Sequence, residues 1–72
     1  MYYVYVLESL KNPEELYIGS TKDFKLRLNQ RNSGLVVSTK RYSPWKLIYF
    51  EAYLTEELAR LREQKLKHME TE

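Results

Sequence analysis

The sequence has no cysteine, one histidine, two glycines and two prolines among its 72 residues. Without cysteine there is no disulfide framework, thiolate zinc site or cysteine nucleophile, and the composition fits a reducing compartment such as the cytoplasm. His68, close to the C-terminus, leaves a histidine triad or a zinc centre without its other members. Two glycines cannot build a glycine-rich phosphate loop. Ser43-Pro-Trp-Lys46 has a serine–lysine spacing, but that chemistry needs both groups on one helical turn, and Pro44 leads into a strand. No apolar run is long enough to span a membrane, and MYYVYVLES lacks the basic leader and cleavage site of a signal, so it reads as a strand. The net charge of +2 is too small to name a nucleic-acid partner, though a local cation cluster would still attract one.

What the sequence does hold is tyrosine. Seven tyrosines, two phenylalanines and Trp45 bring apolar area to a small chain, and a domain of this size buries only about 60% of the surface its unfolded chain exposes. Each tyrosine also brings a hydroxyl that needs a partner once buried. With thiol, imidazole and phosphate-loop chemistry set aside, phenols, carboxylates and guanidinium groups remain. Oxygen ligands of this kind favour magnesium or manganese over zinc.

Local patterns predict one α+β domain over residues 1–72 with elements in the order β-β-α-β-α. Tyr2 to Glu8 is aromatic and β-branched, a strand covered on both faces, and LYIGS follows the SLKNPEE turn cluster as its antiparallel hairpin partner. This places Tyr5 and Tyr17 on neighbouring strands. Ser20 or Thr21 can cap the first helix, with Asp23 in its first turn; the helix runs to about Asn32, where Asn32-Ser33-Gly34 suits a left-handed cap. Leu35 to Ser43 is polar, basic and loop-like; WKLIYFEAYL makes the third strand, and Thr55 with Glu56 and Glu57 opens the second helix.

On that second helix Leu54, Leu58, Leu61, Leu66 and Met69 share one face, with Ala59 at its edge, Glu63 just beyond, and Arg62 snorkelling from inside the arc. Glu63 there either pairs with Lys67 four residues on or points along the sheet toward a cleft, where a metal-binding carboxylate would sit. Tyr5 and Tyr17, taken singly, read as a cross-strand pair, and Arg27 as a partner for Asp23 one turn earlier. Lys40, Arg41 and Tyr42, with Lys46 nearby, form either a solvated loop or a basic segment able to track a nucleic-acid backbone.

Taken together, "YVY" at Tyr3–Tyr5, "YIG" at Tyr17–Gly19, "RL" at Arg27–Leu28, "NSG" at Asn32–Gly34, "PWKLIYFE" at Pro44–Glu51 and "ARLREQKLK" at Ala59–Lys67 resemble a small GIY-YIG nuclease domain over nearly the whole chain. The resemblance implies a three-stranded antiparallel sheet flanked by helices. It implies a divalent-metal-dependent endonuclease that hydrolyses phosphodiester bonds in DNA. Tyr5 and Tyr17 become the motif tyrosines, Arg27 the helix arginine and Glu63 the ligand of a single magnesium or manganese ion. In those roles the ion and Arg27 neutralise charge on the scissile phosphate, Tyr17 takes a proton from the attacking water directly or through the ion, and Tyr5 orients water or phosphate. Gly19 permits a close approach where a side chain would fill the cleft. Lys22, Arg31, Lys40 and Arg41 are the cations expected to contact nucleic acid.

The chain also departs from the family. Arg31 stands where many members carry histidine or tyrosine, and a guanidinium stays protonated, so it grips phosphate rather than accepting a proton. Tyr3 stands where the family name has glycine. The chain stops at METE, where small members commonly continue, so the expectation is either a truncated C-terminus or a substrate surface that lacks a part. These departures keep two other readings open: a catalytically weak nucleic-acid-binding module, and a small structural protein that forms a homodimer to bury more area. A stand-alone domain of this type suggests a bacterium or phage as its source.

Overall fold

A computed structural model of the chain describes residues 1–33 and 40–70. The elements are β1 (Tyr2–Ser9), β2 (Leu16–Thr21), α1 (Phe24–Asn32), β3 (Trp45–Tyr53) and α2 (Glu56–Glu70), in the predicted order. The strands form one antiparallel sheet with β1 between β2 and β3. The central position explains the composition of β1, whose residues Val4, Tyr5, Val6 and Leu7 are all buried.

Register and pleat sort the core into two halves. Val4 lies opposite Ser20 and Glu51, Val6 opposite Ile18 and Tyr49, Tyr5 opposite Gly19 and Phe50, and Leu7 opposite Tyr17 and Leu47. Since successive side chains alternate between faces, Val4, Val6 and Ile18 share one face with Ala59 of α2, flanked by Tyr2, Leu16, Tyr53 and Leu66. Tyr5, Leu7 and Trp45 share the other with Tyr17, Tyr42, Leu47 and Leu28 of α1. A register irregularity opposite Val6 and Leu7 makes Ile48 the extra residue of a bulge on β3 and leaves it half-exposed. A fully buried Val or Leu contributes about 1.5–3 kcal/mol, so two thin half-cores depend on their aromatic members for the remaining area.

The helix ends differ in detail from the sequence reading. Asp23 is the N-cap of α1, its Oδ1 accepting from the Leu26 N–H at 3.1 Å. Ser20 and Thr21 do not cap because both are still paired with β1; instead the Thr21 hydroxyl accepts from the Asp23 N–H at 3.1 Å and turns the chain off the strand. Ser33 closes α1 in a right-handed conformation, and Gly34, with the loop reading of residues 35–39, lies outside the described residues. Asn32 clamps α1 to β3 rather than capping it: its amide donates to the Trp45 carbonyl at 3.0 Å and its Oδ1 accepts from the Trp45 N–H at 2.5 Å. Residues 40–43 form a turn closed by the Ser43 N–H on the Lys40 carbonyl at 3.2 Å.

Thr55 caps α2 as expected, accepting from the Leu58 N–H at 3.2 Å, but the helix is rotated relative to its apolar face. Leu54, Leu58 and Leu61 are exposed, and the inward stripe is Ala59, Arg62, Glu63 and Leu66. The side chain of Met69 lies outside the described part of the chain. The sheet face explains the rotation. Ala59, fully buried, is small enough to let the helix approach Val4 and Val6, and the sheet supplies a polar partner to each charged neighbour. Arg62 does not snorkel: its Nε and Nη2 donate to the Glu51 carboxylate at 2.8 and 3.2 Å, which also accepts from the Tyr49 and Tyr53 hydroxyls.

Candidate active site

The two motif tyrosines sit side by side on β1 and β2, with ring centroids 6.3 Å apart and planes inclined by 29°. Gly19 makes this possible, because a Cβ there would lie 2.6 Å from the Tyr5 hydroxyl oxygen and 2.8 Å from Cζ of the same ring. The close approach at Gly19 is therefore made by Tyr5, seated across the strand in register. Burial pushes the Tyr5 phenol above its ordinary pKa, against the pull of Arg31 and Arg27.

Arg31, in the last turn of α1, is the one buried residue of that helix and is only 7% exposed. Its Nη2 donates to the Tyr17 hydroxyl and its guanidinium carbon lies 4.0 Å from the centroid of the same ring. Trp45 meets Tyr17 edge-on at 6.3 Å. Tyr5, Tyr17, Gly19 and Arg31 thus form one packed group on the α1 side of the sheet.

Glu63 approaches from the other side. Its Oε1 accepts from the Ser20 hydroxyl at 2.6 Å, and its Oε2 pairs with the Lys67 ammonium at 2.8 Å. Burial pushes the Glu63 carboxyl up, but Lys67, Ser20 and Arg60 outweigh it and hold the pKa below its ordinary value. Lys67 is raised, chiefly by its bond to Glu63, and also feels Tyr17 and Tyr5. Of the two alternatives left open for Glu63, the pairing with Lys67 is formed; its other oxygen lies on Ser20 at the end of β2, the edge strand.

Arg27 is exposed and, among the described residues, forms no ion pair with Asp23, whose carboxylate caps α1. It borders an open cleft of about 310 Å³ at the end of β2, together with Ser20, Lys22, Glu56 and Arg60. Lys22 also lies 5.3 Å over the Tyr2 ring. Ser20 is the common element, lining this cleft while holding Glu63. Lys40 and Arg41 are exposed next to Tyr42, with Arg41 5.5 Å over its ring; they do not line the cleft.

Sequence reasoning assigned no site role to Ser20 or Lys67, although a hydroxyl after YIG and a lysine one turn beyond Glu63 were both visible. Among the described residues no three His, Cys, Asp or Glu side chains converge on a metal position. Glu63 offers one ionised carboxylate whose two oxygens are engaged by Ser20 and Lys67, so a hard ion held there would displace or share with the Lys67 ammonium and keep most of its water. The residues therefore fit magnesium or manganese bound partly by substrate, and not a protein cage.

No helix among the described residues is long and apolar enough to cross a membrane. The chain is 40% identical to the structure-specific endonuclease subunit SLX1 of Meyerozyma guilliermondii, an alignment that covers 97% of the chain and 26% of that protein. It is 38% identical to SLX1 of Candida dubliniensis, over 93% of the chain and 26% of the relative, so it spans about a quarter of the length of these fungal proteins. It is 34% identical to UPF0213 protein HQ_3675A of Haloquadratum walsbyi, over 92% of the chain and 73% of the relative. Fungal and archaeal relatives lend no support to the expected bacterial or phage source. The domain description GIY-YIG catalytic domain matches residues 1–71, nearly the whole chain, and the chain belongs to the GIY-YIG family.

Proposed function

We propose that the chain is a divalent-metal-dependent endonuclease domain that hydrolyses phosphodiester bonds in DNA, in a cytoplasmic setting. The observation that carries this reading is the Ser20–Glu63 hydrogen bond, which fixes a carboxylate from α2 at the strand that bears Tyr17. Glu63 would hold the magnesium or manganese ion, which when bound would supply charge neutralisation at the phosphate. Arg27, which borders the cleft, donates to a non-bridging phosphate oxygen as charge builds there. Tyr17 presents its phenol oxygen to the attacking water, and Tyr5, held against Gly19, keeps that phenol in place. Lys22 adds positive field along the cleft, where Arg60 is paired with Glu56. Lys40 and Arg41 extend the contact with the nucleic-acid backbone on the α1 side.

A cleavage assay on single-stranded, duplex and branched DNA tests the roles one by one. Tyr17→Phe and Arg27→Ala each lower kcat by about 100-fold or more while duplex binding persists. Unchanged rates in both variants contradict the assignment. If wild type binds DNA with a steep salt dependence and never cuts, the domain is a binding module.

A further inference from the structure

Arg31 combines features that rarely coincide. It is nine-tenths buried, yet among the described residues no carboxylate pairs with it, and its buried Nε has no hydrogen-bond partner. Arginine is almost never this buried without a counter-charge. What it has instead is Tyr17, which it both stacks on and hydrogen-bonds, with Tyr5 alongside.

The direction of that hydrogen bond has a chemical consequence. A guanidinium has five donors and no acceptor, so the Tyr17 oxygen receives a hydrogen from Arg31 and its own O–H points elsewhere. Trp45 meets the ring edge-on and Tyr5 stacks beside it, and Tyr17 is only partly buried. We infer that Arg31 is a positioning residue for Tyr17: it clamps the phenol oxygen and turns its free hydrogen-bonding side toward the reacting phosphate and water. The inference rests on the nuclease reading above. It assigns Arg31 a task other than direct phosphate contact, which its burial disfavours.

The experiment uses Arg31→Met, Arg31→Lys, Tyr17→Phe and the Arg31→Met/Tyr17→Phe double variant, with Glu63→Ala beside them as the control for metal-dependent cutting. Methionine fills the buried site without a charge, so folding is retained. Arg31→Met lowers kcat by about 100-fold, the scale of a misplaced reacting group, with KM unchanged. Arg31→Lys, which keeps one donor, recovers part of the loss. The double variant is no slower than Tyr17→Phe, because the positioning of the reacting group by Arg31 runs through that hydroxyl and its pull on Tyr5 is secondary. The salt dependence of DNA binding stays the same in Arg31→Met. In nitrogen-labelled protein, the Arg31 Nη protons exchange slowly in wild type and quickly in Tyr17→Phe.

Losses that multiply in the double variant, or a salt slope reduced by about one in Arg31→Met, overturn the inference in favour of phosphate contact and leave the nuclease reading intact. Fast-exchanging Nη protons in wild type also overturn it, whatever the activity. If wild type does not cut although those protons are protected, it is the nuclease reading that has failed, and with it any catalytic purpose of the pair.

Discussion

The Ser20 hydroxyl donates to the Glu63 carboxylate at 2.6 Å across 43 positions of sequence. This contact joins the end of the YIG strand to the middle of α2 and fixes the rotation of that helix. Removing it reads out at the metal. Ser20→Ala is expected to weaken manganese binding by about 10-fold, the usual lower cost of losing a partner that orients a ligand. Calorimetric titration of manganese into the DNA-free protein checks this; unchanged affinity means that Ser20 serves only packing.

Lys67 occupies the second oxygen of the same carboxylate, at 2.8 Å. A cation arriving at Glu63 must displace that ammonium or share the carboxylate with it. Lys67→Met is therefore expected to tighten manganese binding several-fold, the opposite sign to Ser20→Ala. Weaker binding in Lys67→Met would show that the lysine helps to hold the carboxylate in place.

Gly19 has no room for a methyl group, since the Tyr5 ring lies within 2.8 Å of where it would be. Gly19→Ala must push Tyr5 out of a buried seat, at a cost of about 1–3 kcal/mol for overpacking. Urea unfolding measures the loss. Gly19→Ala combined with Tyr5→Val, which empties the seat, should be less destabilised than the sum of the single changes. Full additivity would mean that the two positions do not compete for space.

Glu51 links β3 to α2 through Arg62, Tyr49 and Tyr53. The hydrogen bond from Arg62, then those from Tyr49 and Tyr53, pull its pKa from 4.5 down to about 2. A carboxyl depressed in the folded state contributes stability that is complete above about pH 4.5 and is lost as the pH falls toward 2. Discounted for solvent at this rim, the effect is about 1 kcal/mol. Unfolding followed from pH 6 to 2 should show this loss in wild type and less of it in Glu51→Gln. Identical acid profiles for the two proteins contradict the link.

Much of this arrangement was legible in the sequence, for physical reasons. The strands announce themselves through aromatic and β-branched composition, and the hairpin puts Tyr5 beside Tyr17 by register alone. Position on a wheel placed Glu63 near a buried edge. The rotation of α2 was not legible, because it is set by Ser20 and Glu51, which act across the fold and leave no local signal; with them the helix turns Arg62 and Glu63 inward and leaves Leu54, Leu58 and Leu61 outside. Nor could composition show that Arg31 is buried. A helix arginine reads as solvated until the partner strand supplies an aromatic face and a hydroxyl.

The most direct test of the central claim is metal-dependent cleavage of branched and duplex DNA by wild type and Glu63→Ala, purified and assayed together with manganese present or chelated. The predicted result is cutting by wild type that needs the metal and disappears in Glu63→Ala while DNA binding remains. Cutting that survives Glu63→Ala, or that ignores the metal, would contradict the account.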